Sequence, residues 1–164
     1  MTTGIIVSHC FHNMVHEIET QAIKNIKTLL ANFKGPILGS LNEREDVKAL
    51  IPTEWDLDID LNLNMPNSDH APGVITDWVK KFDIDTVYLV GFHYNLCLRG
   101  VYNACELVNK ALPDEWPREW RKNFKAQIIE ECTAVLLDDK VMTIKQYHKD
   151  EPFINTIKLI NVQR

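Results

Sequence analysis

The chain has 164 residues, 45% hydrophobic and 25% charged, enough for one sizeable core and too apolar for disorder. Its net charge of -5 and pI near 5.6 argue against nucleic-acid or anionic-membrane partners. The start Met-Thr-Thr-Gly lacks the basic, apolar make-up of a secretory signal, and no run approaches the ~20 apolar residues of a membrane span. A cytoplasmic protein without membrane partners is expected.

Gly4 to Ser8 is a short apolar run without polar alternation, as expected of a central strand buried on both faces. Ile18, Ala22, Ile23, Ile26, Leu29, Leu30 and Phe33 recur at helical spacing and predict a helix over Val15 to Lys34. Glu17 and Glu19 early, and Lys27 and Lys34 late, suit its dipole, and Gly35-Pro36 ends it. Pro36 to Ser40 reads as strand two. Leu57 to Asn64 alternates apolar and polar residues and reads as strand three. Asn67-Ser68-Asp69 can cap the next helix, with Pro72 in its first turn.

Thr86 to Gly91 is the strongest strand, the fourth of the series. Six residues later Cys97 opens a helix with an apolar stripe of Val101, Ala104, Cys105, Val108 and Ala111. Pro113 to Lys122, with Trp116 and Trp120, reads as an excursion with a short helix. Ala126 to Glu130 is strand five and Val141 to Tyr147 a sixth. Phe153 to Val162 fits helix or strand equally. The alternation predicts one α/β domain over residues 1–164: three α/β/α layers around a mainly parallel, Rossmann-like sheet of five or six strands.

Such a sheet binds ligands beyond the carboxyl ends of its strands. Cys97 is the sharpest residue there. A thiol in the first helical turn faces the positive end of the dipole, which favours the nucleophilic thiolate. The amides of Leu96 and Cys97 could hold an oxyanion. His9 closes strand one and could serve as base or orienter. His93, Asn62 and Asn64 could line the pocket. Cys105, two turns into its helix, and Cys132, at a strand end, are expected in the core, with all four cysteines reduced.

His9, His12 and His16 are spaced by three and four residues, but no carboxylate or cysteine completes a ligand set. A solvated histidine face is expected, with no metal. Arg118, Arg121, Lys122 and Lys125 alternate with Glu115 and Glu119 and read as a solvated face. Neither G-x-G-x-x-G nor a P-loop is present, so no nucleotide cofactor is expected, and G-x-S-x-G is absent as well.

The segment Val87 to Ala104 (Val-Tyr-Leu-Val-Gly-Phe-His-Tyr-Asn-Leu-Cys-Leu-Arg-Gly-Val-Tyr-Asn-Ala) resembles the isochorismatase-like cysteine hydrolases, which include the nicotinamidases. In them a strand ends in Gly, five residues follow, and the nucleophilic Cys opens a helix. Ile128 to Thr133 is similar to the next strand of that family, which closes with an acidic residue, a small residue and Thr or Ser. The order of elements matches from about Gly4 to Ala134.

The resemblance implies hydrolysis of a small amide, or of the enol ether bond of a small acid, with Cys97 as nucleophile. It also implies a homo-oligomer. The apolar tail from Phe153 and the Trp116–Trp120 excursion could form its contacts or cover the chain's own core. The sequence departs from the family at the charged groups. His9 stands where the family has the Asp that takes the thiol proton, and Asp60 to Pro66 holds no Lys. Ser40 to Arg44 holds no counterpart of the nicotinamidase metal ligands, and Met14 replaces an aromatic.

Three readings follow. His9 could replace the Asp and pair directly with Cys97. The chemistry could be lost, leaving a small-molecule-binding or protein-interaction module. Or the domain could be a generic α/β fold in which Cys97 is only core.

Overall fold

A computed structural model describes residues 2–8, 10, 13–39, 44–51, 70–110, 124–147 and 155–162. The sheet is built by β1 (Thr2–Ser8), β2 (Ile37–Leu38), β3 (Ile84–Gly91), β4 (Lys125–Ile129) and β7 (Thr156–Ile157). Their order is β2-β1-β3-β4-β7, and every neighbouring pair is parallel. The central pair runs in register to its carboxyl end, where Ser8 lies opposite Gly91.

Both faces of this pair are buried, which explains the unbroken apolar runs of β1 and β3. Their side chains still alternate in direction. Ile6, Val87 and Leu89 face one helical layer, where Ile75, Trp78 and Val79 of α3 (His70–Lys81) meet Leu98, Val101 and Cys105 of α4 (Cys97–Lys110). Ile5, Val7, Tyr88 and Val90 face the other. There Ala22, Ile23, Ile26, Leu29 and Leu30 of α1 (Glu17–Asn32) cover the sheet. The three-layer expectation therefore holds.

The helix α1 starts at His16, whose Nδ1 accepts from the Ile18 amide while Glu19 reaches back to the His16 amide. This capping box sets the first turn. The amide of Phe33 donates to the Leu30 carbonyl at the other end. The helix stops at Asn32, so Lys34 lies outside it. Lys27 instead pairs with Asp46 of the short α2 (Glu45–Lys48) at 3.1 Å.

Two expectations need correction. Val141 to Tyr147 is not a sixth strand of the sheet. Val135–Leu137 (β5) and Lys140–Met142 (β6) form a separate antiparallel hairpin, and Ile144–Tyr147 (α5) is helical. Asp138 and Asp139 turn this hairpin with positive φ, as a two-residue turn requires. The Oγ1 of Thr143 accepts from the Gln146 amide, and the Thr143 amide donates to Oε1 of Gln146. That reciprocal pair starts a helix and stops the strand.

The fifth strand comes from the ambiguous tail. Thr156–Ile157 pairs with Ile128 and Ile129 at the sheet edge, followed by a 3₁₀ turn at Leu159–Asn161. The predicted strand Leu57 to Asn64 and the Trp116–Trp120 excursion lie outside the described residues. No helix among the described residues is long and apolar enough to cross a membrane.

Candidate functional site at the carboxyl edge of the central strands

The edge is shaped by Gly91. Its φ is +114°, and a Cβ there would fall 1.9 Å from the Ser8 carbonyl oxygen. Only glycine lets β3 turn this close to β1. The Phe92 amide then donates to that same oxygen at 2.7 Å, which keeps the two strand ends together. A cis peptide joins Phe92 to His93.

The run from Phe92 to Leu96 is clamped on both sides. Phe92 packs into the α1 layer and Tyr94 into the α4 layer. The Tyr94 amide donates to the Ala134 carbonyl at 2.9 Å. The Asn95 amide group donates to the Leu136 carbonyl at 2.8 Å and accepts from the Leu136 amide at 3.2 Å. This two-point match copies a strand ladder and fixes the loop against β5.

Cys97 is the first residue of α4. It is partly exposed, whereas Cys10, Cys105 and Cys132 are buried, and no disulfide joins the four. The generic reading, in which Cys97 is only core, does not describe this placement. Burial nevertheless pushes its thiol up from the ordinary value. The helix dipole favours the thiolate, but half-burial disfavours the charged form.

The Leu96 amide is not open to an oxyanion, because it donates to the His93 carbonyl at 2.9 Å. The Leu98 amide donates to the same oxygen at 3.2 Å, so the His93 carbonyl caps the first turn of α4. The Leu96 side chain points outward, 46% exposed.

Sequence reasoning placed His93 at the pocket without a partner. In the structure its Nε2 lies 2.7 Å from Oε2 of Glu19, with both side chains largely buried. Glu19 read only as an acid suiting the helix dipole. Its partner is 74 residues away, and nothing local announces it. His9, Asn62 and Asn64 lie outside the described residues. His16 is exposed and caps α1. Among the described residues no group of three or more His, Cys, Asp or Glu could hold a metal ion.

Two buried hydroxyls near this edge, Ser8 Oγ and Thr133 Oγ1, have no hydrogen-bond partner among the described residues. Thr133 lines a cleft of about 500 Å³ between α1 and the turn after β4, with Ile18, Gln21, Ala22 and Ile144. Cys97 is not part of that cleft.

The strand order, the glycine-ended β3 and the cysteine that opens α4 decide the architecture. An isochorismatase from Pseudomonas putida matches over 96% of this chain and 87% of its own, with a TM-score of 0.58 and 14% identity. The chain has the isochorismatase-like fold. An isochorismatase-like hydrolase from Alkaliphilus metalliredigens matches over 96% of this chain and 95% of its own, with a TM-score of 0.55 and 14% identity. An isochorismatase family protein matches over 95% of this chain and 98% of its own, with a TM-score of 0.52, again at 14% identity. No family model matches the sequence, and no curated protein matches it. The isochorismatase-like likeness thus rests on the path of the chain, and the residues that carry chemistry must be argued from this sequence.

Proposed function

We propose that this isochorismatase-like protein is a cysteine hydrolase acting on a small amide or on an enol ether of a small acid, with Cys97 as nucleophile. The observation that carries the reading is the position of Cys97. It alone of the four cysteines is partly exposed, and it opens the helix that follows the central strand. In the amide reaction the thiolate adds to the carbonyl carbon, and the C=O electron pair moves to oxygen. Collapse expels the amine, which takes a proton from the protonated base. Water then cleaves the thioester and restores the thiol. Because burial raises the thiol, attack requires a base that takes its proton at that moment. The sequence supplies two imidazoles for this end of the sheet, His9 and His93.

A second reading is a small-molecule-binding or protein-interaction module. The raised thiol favours it, as does the absence from the sequence of the family's Asp after β1 and Lys between residues 60 and 66. The test is turnover of a panel of small primary amides and enol ethers by the wild type and by Cys97→Ser. The hydrolase reading expects turnover by the wild type alone, with both proteins melting alike. Binding of a panel compound without turnover would support the module instead.

A further inference from the structure

The cleft between α1 and the turn after β4 is not lined by Cys97 and plays no part in the proposed hydrolysis. Its volume, about 500 Å³, falls within the roughly 300–1,000 Å³ of small-molecule sites. It lies beyond the carboxyl ends of two strands, since Glu130 and Thr133 follow β4 and Lys158 follows β7. Ligands of parallel α/β sheets bind at that end.

The walls are tied to one another by the protein's own bonds. The Asn25 side-chain amide on α1 donates to the Glu131 carbonyl at 2.8 Å, and its Oδ1 accepts from Gln21 at 3.1 Å. Glu131 Oε1 accepts from the Leu159 amide at 2.9 Å, and Glu130 Oε1 from the Thr156 hydroxyl at 3.1 Å. These bonds join α1, the turn after β4 and the residues around β7, so the cleft is preformed and a ligand need not order it.

The surface facing the cleft is mainly apolar, with Ile18, Ala22 and Ile144. Its charges come close to cancelling: Glu17, Glu130 and Glu131 stand against Lys145 and Lys158. An ion of either sign would meet like charge as well as opposite, and would lose hydration against the apolar wall. A neutral molecule escapes both penalties. One lining group is unsatisfied. Thr133 is 3% exposed, and its Oγ1 has no hydrogen-bond partner among the described residues. A buried hydroxyl is ordinarily paired.

We propose that this cleft is a ligand site for a neutral, mainly apolar small molecule carrying one hydroxyl or carbonyl, which bonds to the Thr133 hydroxyl. The site stands whether or not Cys97 is a nucleophile.

The probe is 2-naphthol, neutral at about pH 7, titrated into the full chain and followed by amide NMR shifts. The 2-naphthoate and 2-naphthylmethylammonium ions supply the same apolar body with either charge. 2-Naphthol should shift the amides of Ala22, Thr133 and Ile144 saturably below about 5 mM, and bind roughly tenfold more tightly than either ion. Thr133→Val keeps the shape and removes the hydroxyl, so it should weaken 2-naphthol about fivefold. The free Thr133→Val protein should melt no lower than the wild type, because no partner loses a bond. Ile144→Glu puts a charge on the apolar wall and should weaken binding roughly tenfold. Cys97→Ser should bind as the wild type does.

Four results would overturn the proposal in the binding data: no saturable shift, shifts confined to residues outside the cleft, tighter binding of either ion, or loss of binding in Cys97→Ser. Equal affinity in the wild type and either cleft variant would do the same. So would a fall of more than about 4 °C in the melting of Thr133→Val, since the hydroxyl would then already serve a partner within the protein.

Discussion

Replacing Gly91 with alanine puts a methyl group where the backbone of β1 already lies. The new Cβ would sit 1.9 Å from the Ser8 carbonyl oxygen and 2.7 Å from the Ser8 carbonyl carbon and nitrogen. All three are backbone atoms, so no side chain can swing aside. Two costs follow. An L-residue held at φ +114° costs about 2 kcal/mol. Forcing the strand ends apart, with loss of the 2.7 Å bond from the Phe92 amide to Ser8, costs about 2 kcal/mol more. At roughly 2–4 °C per kcal/mol for a chain of this size, the melting temperature should fall by about 8–16 °C.

Gly73 is the control. It lies in α3 and a Cβ there meets nothing within 4 Å, so Gly73→Ala should stabilise by up to about 1 kcal/mol. Thermal unfolding followed by circular dichroism reads both. A Gly91→Ala protein that melts within 2 °C of the wild type would refute the close approach of β3 to β1.

Other outcomes follow from the same geometry. Asn95→Ala removes both bonds to Leu136 and should cost roughly 1–3 kcal/mol in urea unfolding. It should also change the alkylation rate of Cys97, which the freed loop precedes. Cys105 is fully buried, and burial, with Glu106 nearby, pushes its thiol far up. Native protein treated with iodoacetamide should carry the label on Cys97 and not on Cys105, as peptide mapping would show. The raised Cys97 thiol holds its proton more tightly in the folded state. Its stability contribution is therefore full below the unfolded value near 8.5 and is lost as pH rises through the folded one. Above about pH 8.5 the wild type should lose melting temperature faster than Cys97→Ser.

Much of the fold was legible because the central strands and their helices repeat strong local patterns. Gly4 to Ser8 and Thr86 to Gly91 are apolar on both faces, and the α1 stripe recurs at helical spacing. What escaped was either short or non-local. Thr156–Ile157 is too brief for a period of two to register. Thr143 and Gln146 stand at capping-box spacing, but the β-like Val141, Ile144 and Tyr147 favour a strand over the same residues. Asp138 and Asp139 turn the hairpin without the Asn-Gly or Asp-Gly pair that would announce it.

At the site, Cys97 was readable because its position after a glycine-ended strand is a matter of spacing. Glu19 was not, since an acid at the third position of a helix is ordinary, and only tertiary packing buries it against His93. The opposing effect of burial on the Cys97 thiol was hidden for the same reason. A helix position reveals a dipole, but not how much solvent the neighbouring layers leave.

The most direct measurement is the mass of the protein trapped during reaction. Wild type mixed with a turned-over amide and quenched in acid should carry one acyl group, mapped to the peptide containing Cys97, and Cys97→Ser should carry none and turn nothing over. Turnover by Cys97→Ser at the wild-type rate, or an acyl group on another residue, would contradict the account.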